Sequence, residues 1–218
     1  MQRLLDLLFS GIAIIILSPI LAPIACLLKI TGEGEVFYTQ TRVGLNGKPF
    51  GLMKFATMLK NSPTIGTGEI TIKNDPRVLP LGKFLRKSKI NELPQLWNIF
   101  RGDMSIVGPR PMVPKTYARY PIEAQNLLNT VKPGLTGIGS IIFRDEERLL
   151  DGHKDPVGFY NENIMPHKID LELWFIKNNT LWLYIKIIVI TGWVIFFPSK
   201  NIVYMAFDGV PRLPDSLI

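Results

Sequence analysis

The longest hydrophobic run in the sequence lies near its N-terminus. Residues 7–28 are 22 consecutive uncharged and mostly apolar residues. A helix of this length rises about 1.5 Å per residue, which is enough to cross a bilayer core of roughly 30 Å. The apolar part of a signal peptide is shorter, at about 7–15 residues. The pattern therefore predicts a membrane helix.

Two prolines complicate this helix. Ser18-Pro19 lies at the middle of the run, and Pro23 follows. Proline removes a backbone donor and clashes with the preceding turn, so a straight helix is not expected. Either a kinked helix spans the membrane, or the helix breaks at Ser18-Pro19 and turns back, with the Ser18 hydroxyl bonding a freed carbonyl. These arguments alone favour the spanning helix.

Shorter patterns predict a small unit of helices and strands after the apolar run. Residues 36–58 combine β-favouring residues with a turn at Asn46-Gly47, which predicts a β-hairpin. The predicted helices are 81–87, 93–100 and 122–131. The sequence contains no internal repeat and no glycine-rich nucleotide-binding pattern.

A second apolar segment occurs later in the chain. Residues 178–197 contain a single charge, Lys186, and aromatic residues are interleaved with the aliphatic ones. A charge near the centre of a membrane span costs on the order of 3 kcal/mol, whereas tryptophan and tyrosine favour the interface and lysine can snorkel. We therefore expect a helix that lies in the plane of the membrane surface. A buried core helix is the alternative.

The positive charge of the chain is concentrated in one segment. The chain has 218 residues, is 47% hydrophobic, has a mean hydropathy of +0.20 and carries a net charge of +7. Residues 73–119 contain ten Lys or Arg and three Asp or Glu, so this segment carries the whole excess. Such a cluster attracts the phosphates of nucleic acid, of lipid headgroups or of a nucleotide-activated substrate. The one cysteine, Cys26, cannot form an internal disulfide, which indicates a reducing, cytoplasm-facing compartment.

The basic segment is typical of a phosphate-binding scaffold rather than of a nucleic-acid interface. Its few aromatic residues fall at core-like spacings, whereas nucleic-acid recognition needs exposed aromatics or a helix that enters a groove. Prolines and glycines punctuate it instead, which suits a rigid backbone that holds arginines at a phosphate. Arg86 and Arg110 bracket the adjacent Asn91 and Glu92. A carboxylate in this setting could hold Mg²⁺ or attack phosphorus, and a surface ion pair is the alternative for Glu92.

Several motifs occur together in an order that resembles the bacterial sugar transferases. These are monotopic phosphoglycosyl transferases that begin the assembly of surface glycans, and the resemblance is to their small, catalytic-domain-only form. It rests on the N-terminal segment with Ser18-Pro19, QTRVGLNGKPFGLMKF (40–55), NDPRVLPLGKFLRKSKINELPQLWNIFRGDMSIVGPRP (74–111), VKPGLTG (131–137) and IDLELWFIKNNTLWLYIKII (169–188). The resemblance covers almost the whole chain.

The resemblance implies a membrane-associated α/β fold. Residues 1–30 are expected to form a re-entrant helix, broken at Ser18-Pro19, that enters and leaves by the cytoplasmic face; this reverses the preference for a spanning helix. Residues 31–218 are expected to form a small cytosolic α/β catalytic domain, with interfacial amphipathic helices near 169–197. The expected location is the cytoplasmic face of the inner membrane, in contact with membrane lipids. No nucleic-acid partner is expected, and a homodimer stays open.

The implied reaction transfers a phosphosugar from a UDP-sugar to undecaprenyl phosphate and releases UMP, as the first membrane step of surface glycan assembly. In the family, an aspartate beside a glutamate attacks the sugar-linked phosphate, Mg²⁺ is required, and the lipid phosphate then displaces the covalent intermediate. This pair corresponds to Asn91 and Glu92, the expected catalytic and metal-binding residues. The family's basic residues correspond to Arg86 and Arg110, which are expected to bind substrate phosphates. Lys132 is a further candidate for contact with the nucleotide phosphates, and a structural role in a turn is its alternative.

The sequence departs from the family pattern at the nucleophile. Asn91 is neutral, a poor nucleophile and a weaker magnesium ligand, although it is nearly isosteric with aspartate. Three interpretations stay open: Glu92 has become the nucleophile, the chain is catalytically silent and acts as a substrate binder or scaffold, or the asparagine is a deliberate substitution. In a smaller departure, Ala56 stands where the family usually has an arginine, which removes one cation.

A few other polar residues are predicted to have structural or surface roles. Asp103 is expected to be a turn residue, with a metal ligand as the alternative. His153 and His167 lack the spacing of metal ligands and are expected at the surface. Residues 145–147, Asp-Glu-Glu, are expected to form a solvated face.

Overall fold

The protein is mainly helical and contains two small sheets. The computed structural model describes residues 1–66, 71, 75–151, 153–197, 201–214 and 217. The helices are α1 (Gln2–Ile30), α2 (Pro80–Lys87), α3 (Gln95–Arg101), α4 (Pro114–Tyr117), α5 (Ile122–Leu128), α6 (Ile138–Ile142), α7 (Glu146–Leu149), α8 (Pro156–Phe159), α9 (Met165–Lys177), α10 (Leu181–Phe196) and α11 (Asn201–Ala206). The strands are β1 (Phe37–Val43), β2 (Pro49–Phe55), β3 (Ser105–Val107) and β4 (Gly134–Thr136). This is a mixed α/β fold, as the sequence predicts.

The predicted β-hairpin is confirmed. Strands β1 and β2 pair antiparallel, with Phe37 opposite Phe55 and Val43 opposite Pro49. The chain reverses through a short 3-10 turn in which Asn46 and Gly47 have φ values of 57° and 70°. Asparagine and glycine tolerate this left-handed region better than other residues, so the turn is specified locally. The hairpin forms one wall of a cleft, to which β1 contributes residues such as Gln40 and Arg42 and β2 contributes Lys54 and Phe55.

The N-terminal apolar helix is continuous through both of its prolines. Helix α1 runs from Gln2 to Ile30 and contains Pro19 and Pro23. It is long and apolar enough to cross a membrane by length and composition, and no other helix among the described residues is. The Ser18 hydroxyl donates to the carbonyl of Ile15 over 2.8 Å. That carbonyl is the one that Pro19 leaves without a donor, because proline has no N–H. The predicted end of helical conformation at Ser18-Pro19 is therefore not seen.

The first turns of α1 are bonded to the rest of the molecule through a buried carboxylate. One oxygen of Asp6 accepts hydrogen bonds from the Tyr184 hydroxyl at 2.8 Å, the Ser105 hydroxyl at 3.0 Å and the Ile106 backbone N–H at 2.8 Å. Nearby, the Arg3 guanidinium donates to two carbonyls at the C-terminal end of α3, where the helix dipole favours a cation. These contacts tie α1 to α3, β3 and α10.

The other end of α1 packs on the same body. Leu28 is buried in a cluster with Phe55 of the hairpin and Leu85 of α2. Between the two docked ends, α1 leaves aliphatic side chains such as Ile15 and Ile16 exposed. One face of α1 thus lies along the domain while the other is apolar and uncovered.

The main core lies between the C-terminal helices and the parallel pair of β3 and β4. Its largest fully buried members are Tyr184, Ile138, Ile142, Leu150, Ile164, Leu171, Ile187 and Leu217. At the end of β3 the backbone approaches β4 so closely that a Cβ on Gly134 would lie 2.0 Å from the nitrogen of Gly108. Only glycine fits there. This close approach fixes the course of the chain immediately before Arg110.

Helix α10, which covers most of the second apolar segment, is buried on one face and exposed on the other. Its inner face contributes residues such as Ile187 to the core, while Trp182 and Trp193 on its outer face are exposed. Lys186 does not need to reach water, because its ammonium donates to the carbonyl of Ala206 and lies over the ring of Phe207. The helix is therefore a core helix with an uncovered apolar face. Its position in the plane of a membrane stays a prediction.

Candidate active site

A large cleft of about 1690 Å³ opens between the hairpin, the turn that follows α2, and helices α6, α7 and α9. Asn91, Glu92, Arg86 and Arg110 all line it, although the sequence spreads them over 25 positions. Ala56 lies in its wall and is buried, so the family's arginine position faces the cleft. The predicted catalytic pair and its two arginines are thus brought to one cavity.

Glu92 holds two cations with one oxygen. It lies in a 3-10 turn, Ile90–Glu92, and its Oε1 is 2.9 Å from the Lys54 ammonium and 3.0 Å from Nη2 of Arg110. Burial of the carboxyl would by itself raise its pKa. The positive charges of Lys54 and Arg110 outweigh burial and hold the pKa of Glu92 well below its usual range. Glu92 is therefore an anion throughout the physiological pH range.

Lys54 is a site residue that the sequence analysis missed. It projects from β2 into the cleft and pairs with Glu92. Burial is the main reason that the pKa of this ammonium falls to about 8; the carboxylate of Glu92 opposes the shift, and the charges of Arg110 and Arg42 add to it. In the sequence Lys54 is only one cation beside a strand end, and nothing local shows that the hairpin aims it at Glu92.

Asn91 is buried beside Glu92 and has an unusual polar environment. The residue is 6% exposed, and its side-chain oxygen has no hydrogen-bond partner among the described residues. Buried polar atoms without partners are rare, and each costs about 1–3 kcal/mol. This oxygen belongs to a residue of the cleft wall but is itself covered, so a ligand or cation could contact it only if neighbouring side chains moved.

The loop that carries Arg110 is held from behind by a second buried carboxyl, which the sequence analysis also missed. Glu172 of α9 accepts a hydrogen bond from the Arg110 backbone N–H over 3.3 Å. Burial raises the pKa of Glu172 to about 7, and its other oxygen has no partner among the described residues. Gly139 makes room for it, since a Cβ there would lie 2.7 Å from the carboxyl. The available sequence signal was a single acidic residue within the apolar stretch LELWF.

The solvated face predicted for residues 145–147 is confirmed only in part: Asp145 and Glu147 are exposed, whereas Glu146 is partly buried, and both glutamates form ion pairs. Glu147 forms an ion pair of 2.8 Å with Arg86, and Glu146 pairs with Lys168 of α9. Arg86 therefore contacts a carboxylate of α7, whereas Arg110 contacts Glu92 itself. The two arginines that bracket the catalytic pair in the sequence have different partners in the fold.

Other predicted residues lie away from the cleft. Lys132 is not among its lining residues, and its ammonium approaches Gly102 near Arg3 instead. Asp103 follows α3, where its carboxylate accepts from the Asn98 amide at 3.3 Å. His153 stacks on Phe159 with ring centroids 3.7 Å apart. Within the part of the chain that the structure describes, no group of three or more His, Cys, Asp or Glu could hold a metal ion.

Sequence comparison agrees with the geometry of the cleft. Residues 1–198 match the family model described as bacterial sugar transferase. The chain belongs to this family. The match includes α1, the hairpin, the turn with Asn91 and Glu92, and the whole of α10, so it covers the structural elements that build the cleft.

Curated relatives of this sugar transferase carry informative names. It is 37% identical over 193 residues to the UDP-glucose:undecaprenyl-phosphate glucose-1-phosphate transferase of Klebsiella pneumoniae, covering 87% of this chain and 39% of the relative. It is 32% identical over 210 residues to the undecaprenyl-phosphate galactose phosphotransferase of Salmonella typhimurium, covering 89% and 40%. It is 36% identical over 159 residues to the exopolysaccharide production protein ExoY of Rhizobium meliloti, covering 66% and 70%. The chain thus spans about two-fifths of the length of the first two.

Asn91 and Glu92 are suited to bind Mg²⁺ only when a phosphate group of a ligand binds the ion as well. Magnesium takes oxygen ligands and usually keeps one or two protein carboxylates together with substrate phosphates. The unpartnered oxygen of Asn91 and the carboxylate of Glu92 are suitable donors. Lys54 and Arg110 already place two positive charges against one carboxylate, so a divalent cation needs further negative charge from a ligand.

Proposed function

We propose that this protein transfers a phosphosugar from a UDP-sugar to undecaprenyl phosphate, with release of UMP. The observation that carries the proposal is the carboxylate of Glu92, held by Lys54 and Arg110 in the basic cleft of a bacterial sugar transferase. The names of the relatives support both substrates. This transfer would be the first membrane step of surface glycan assembly.

The side chains of the cleft suggest how each would act. The Arg110 guanidinium and the Lys54 ammonium would bind phosphate oxygens and offset the negative charge that grows in the transition state. A carboxylate oxygen of the pair would form a bond to the sugar-linked phosphorus while the bond from that phosphorus to the UMP oxygen breaks. An oxygen of the lipid phosphate would then attack the same phosphorus and release the carboxylate. In this chain Glu92 is the one carboxylate of the pair.

Magnesium belongs to the proposal as a cofactor. Asn91 and Glu92 would hold it together with oxygens of the UDP-sugar diphosphate. When bound, the ion would neutralise phosphate charge and make UMP a better leaving group. The alternative function, a silent substrate binder or scaffold, rests on Asn91 alone, because an amide is a poor nucleophile.

Release of UMP tests the proposal directly. Purified protein is incubated with undecaprenyl phosphate, Mg²⁺ and either UDP-glucose or UDP-galactose, and UMP is measured over time. We expect UMP with at least one of the two sugars. Without the lipid phosphate UMP should stop at about one equivalent of the enzyme, because the first step alone releases it, and only with the lipid phosphate should it exceed that amount. Binding of a UDP-sugar without any UMP from this chain or from its Asn91→Asp variant would favour the scaffold.

We infer further that α1 is re-entrant and that the protein occupies the cytoplasmic face of the inner membrane. A helix across a bilayer has its ends about 30 Å apart on opposite sides, so a domain on one side could contact only one end. Here Asp6 near the first end and Leu28 near the second both contact the same domain. The uncovered apolar face of α1 between them would enter the lipid.

Cysteine labelling in intact cells tests this topology. In a Cys26→Ser background, single cysteines at Gln2 and Asn61 are both expected to resist a membrane-impermeant reagent, because both positions would face the cytoplasm. Replacing Pro19 by alanine should increase labelling at Gln2, since it restores a helical donor and removes a clash. Labelling at Gln2 in the parent protein, with Asn61 protected, would instead establish a spanning helix.

The affinity for a UDP-sugar is expected to fall as pH rises through about 8. Because burial lowers the pKa of Lys54 to about 8, the ammonium is charged below this value and neutral above it. We expect the dissociation constant to increase about three- to tenfold between pH 7 and pH 9. Binding is measured by calorimetry at constant ionic strength.

The Lys54→Arg variant is the matched control for this pH dependence. Arginine keeps its charge over the whole range, so the variant should lose the decline. A decline of equal size in Lys54→Arg would assign the titration to another group.

A further inference from the structure

Two neighbouring carboxylates of α7 pair with cations that come from different walls of the cleft. Glu147 contacts Arg86 of α2 with Nη2 and Oε1 2.8 Å apart, and Glu146 contacts Lys168 of α9. All four side chains line the cleft that contains Glu92. A four-residue helix therefore connects two basic walls through its acidic side chains.

The two cations are placed like phosphate-binding groups. The Lys168 ammonium lies 5.1 Å from the centroid of the Tyr160 ring and 5.5 Å from that of Phe143, which holds it on the cleft wall. The charge of Glu146 also influences Arg110, which pairs with Glu92. The pKa of Arg110 is raised, chiefly by Glu92 and to a smaller extent by Glu146. Lys168 and Arg110 thus border the same region of the cleft.

We propose that Glu146 and Glu147 compete with substrate for Lys168 and Arg86. Their carboxylates occupy the positions on the two cations that phosphate oxygens of the substrate take when it binds. This inference rests on the proposed function, because it assigns Lys168 and Arg86 to a phosphate of the UDP-sugar or of the lipid. It makes Glu146 and Glu147 an internal anion that the substrate must displace.

The contacts of α7 suggest that a substrate phosphate can replace its carboxylates on the two cations. The Glu147 side chain is 50% exposed, so water screens its attraction to Arg86. A phosphate carries more charge and offers several oxygens to a guanidinium, so it is the stronger partner. Helix α7 has no side-chain cap at its N-terminus, so little is lost locally when its acidic side chains turn away.

The test removes one carboxylate at a time and measures anion affinity. Glu147→Gln is expected to bind substrate about two- to fivefold more tightly than the parent, and Glu146→Gln about three- to tenfold, because Lys168 is the less exposed cation. The probes are UDP-glucose, undecaprenyl phosphate in detergent micelles, and inorganic pyrophosphate. Tighter binding of UDP-glucose alone assigns the two cations to the nucleotide sugar, and tighter binding of the lipid alone assigns them to the acceptor.

Asp145→Asn is the matched control. It removes the same charge from the same segment, and within the described part of the chain Asp145 has no ion pair. We expect its affinities to stay within about twofold of the parent. The gain from Glu147→Gln should also disappear in an Arg86→Ala background, because the carboxylate would then have no cation to release.

The proposal is overturned if the glutamine variants do not bind the anionic probes more tightly than the parent. If the carboxylates orient their cations for substrate, both glutamine variants will bind all three probes equally or more weakly. Thermal unfolding of each variant separates this result from a loss of folded protein. Pyrophosphate keeps the inference independent of the reaction, since tighter binding of pyrophosphate without UMP release by any variant would support the internal competitor while contradicting the transferase.

Discussion

Replacing Asn91 by aspartate is expected to raise the rate of UMP release by about 100-fold or more. The substitution supplies the carboxylate that attacks phosphorus in the family, with almost no change in side-chain volume. The structure favours this outcome because Asn91 lies in the cleft wall directly beside Glu92, where the oxygen that replaces its amide nitrogen completes a pair of carboxylates. Lys54 and Arg110, which pair with the neighbouring Glu92, would help to offset the added negative charge. The measurement is the initial rate with UDP-glucose or UDP-galactose and undecaprenyl phosphate.

Two further variants make this prediction specific. Glu92→Gln in the Asn91→Asp background should lower the rate again, because it removes the second carboxylate of the pair. Mg²⁺ should bind more tightly to Asn91→Asp than to the parent, since two adjacent carboxylates replace one. If the parent is already as fast as Asn91→Asp, another carboxylate is the nucleophile. Trapping the phosphosugar adduct and locating it by peptide mass spectrometry would then test whether that residue is Glu92.

Replacing Arg110 by alanine is expected to weaken UDP-sugar binding by about 1.5–3 kcal/mol, roughly 10- to 150-fold. Arg110 is 3.0 Å from Glu92, so its guanidinium stands where the transferred phosphate must approach the catalytic pair. Arg110→Lys should recover only part of the loss, because an ammonium lacks the two parallel donors of arginine. Binding is measured by calorimetry with the UDP-sugar that gives UMP.

Arg101→Ala is the matched control for Arg110→Ala. Its side chain is 61% exposed, lies outside the cleft lining and pairs only loosely with Asp103 at 3.8 Å. Arg86→Ala is expected to weaken binding less than Arg110→Ala, since Glu147 already occupies that guanidinium. Unchanged affinity in both Arg86→Ala and Arg110→Ala would move the substrate site elsewhere.

Local patterns were read correctly where neighbours in the sequence decide the structure. The turn at Asn46-Gly47 is an example, because both residues tolerate positive φ and the flanking residues favour strands. Helix α2 was predicted from 81 to 87 and begins one residue earlier, at Pro80, a residue type favoured in the first turn of a helix. The long apolar run likewise forms α1.

The behaviour of α1 at Ser18-Pro19 shows the limit of such patterns. The hydrogen bond from the Ser18 hydroxyl to a freed carbonyl was predicted from the sequence and is confirmed. The contacts of Asp6 and Leu28 with distant parts of the chain, which hold both ends of the helix on one body, were not predicted. At Pro19 itself the helix is exposed, and it continues there because the Ser18 hydroxyl bonds the carbonyl that the proline leaves without a donor, while the distant contacts hold the two ends.

The sequence by itself determined the family, the hairpin, the apolar helix and the cluster of Asn91, Glu92 and Arg110, since these depend on motifs and on local conformational preference. Only the tertiary structure decided which charges meet. Lys54 reaches Glu92 across 38 positions and Glu147 reaches Arg86 across 61. Such pairs follow from how strands and helices pack, and the local sequence around a charged residue does not identify its partner. The acidic residues of α7 looked like surface charge for the same reason.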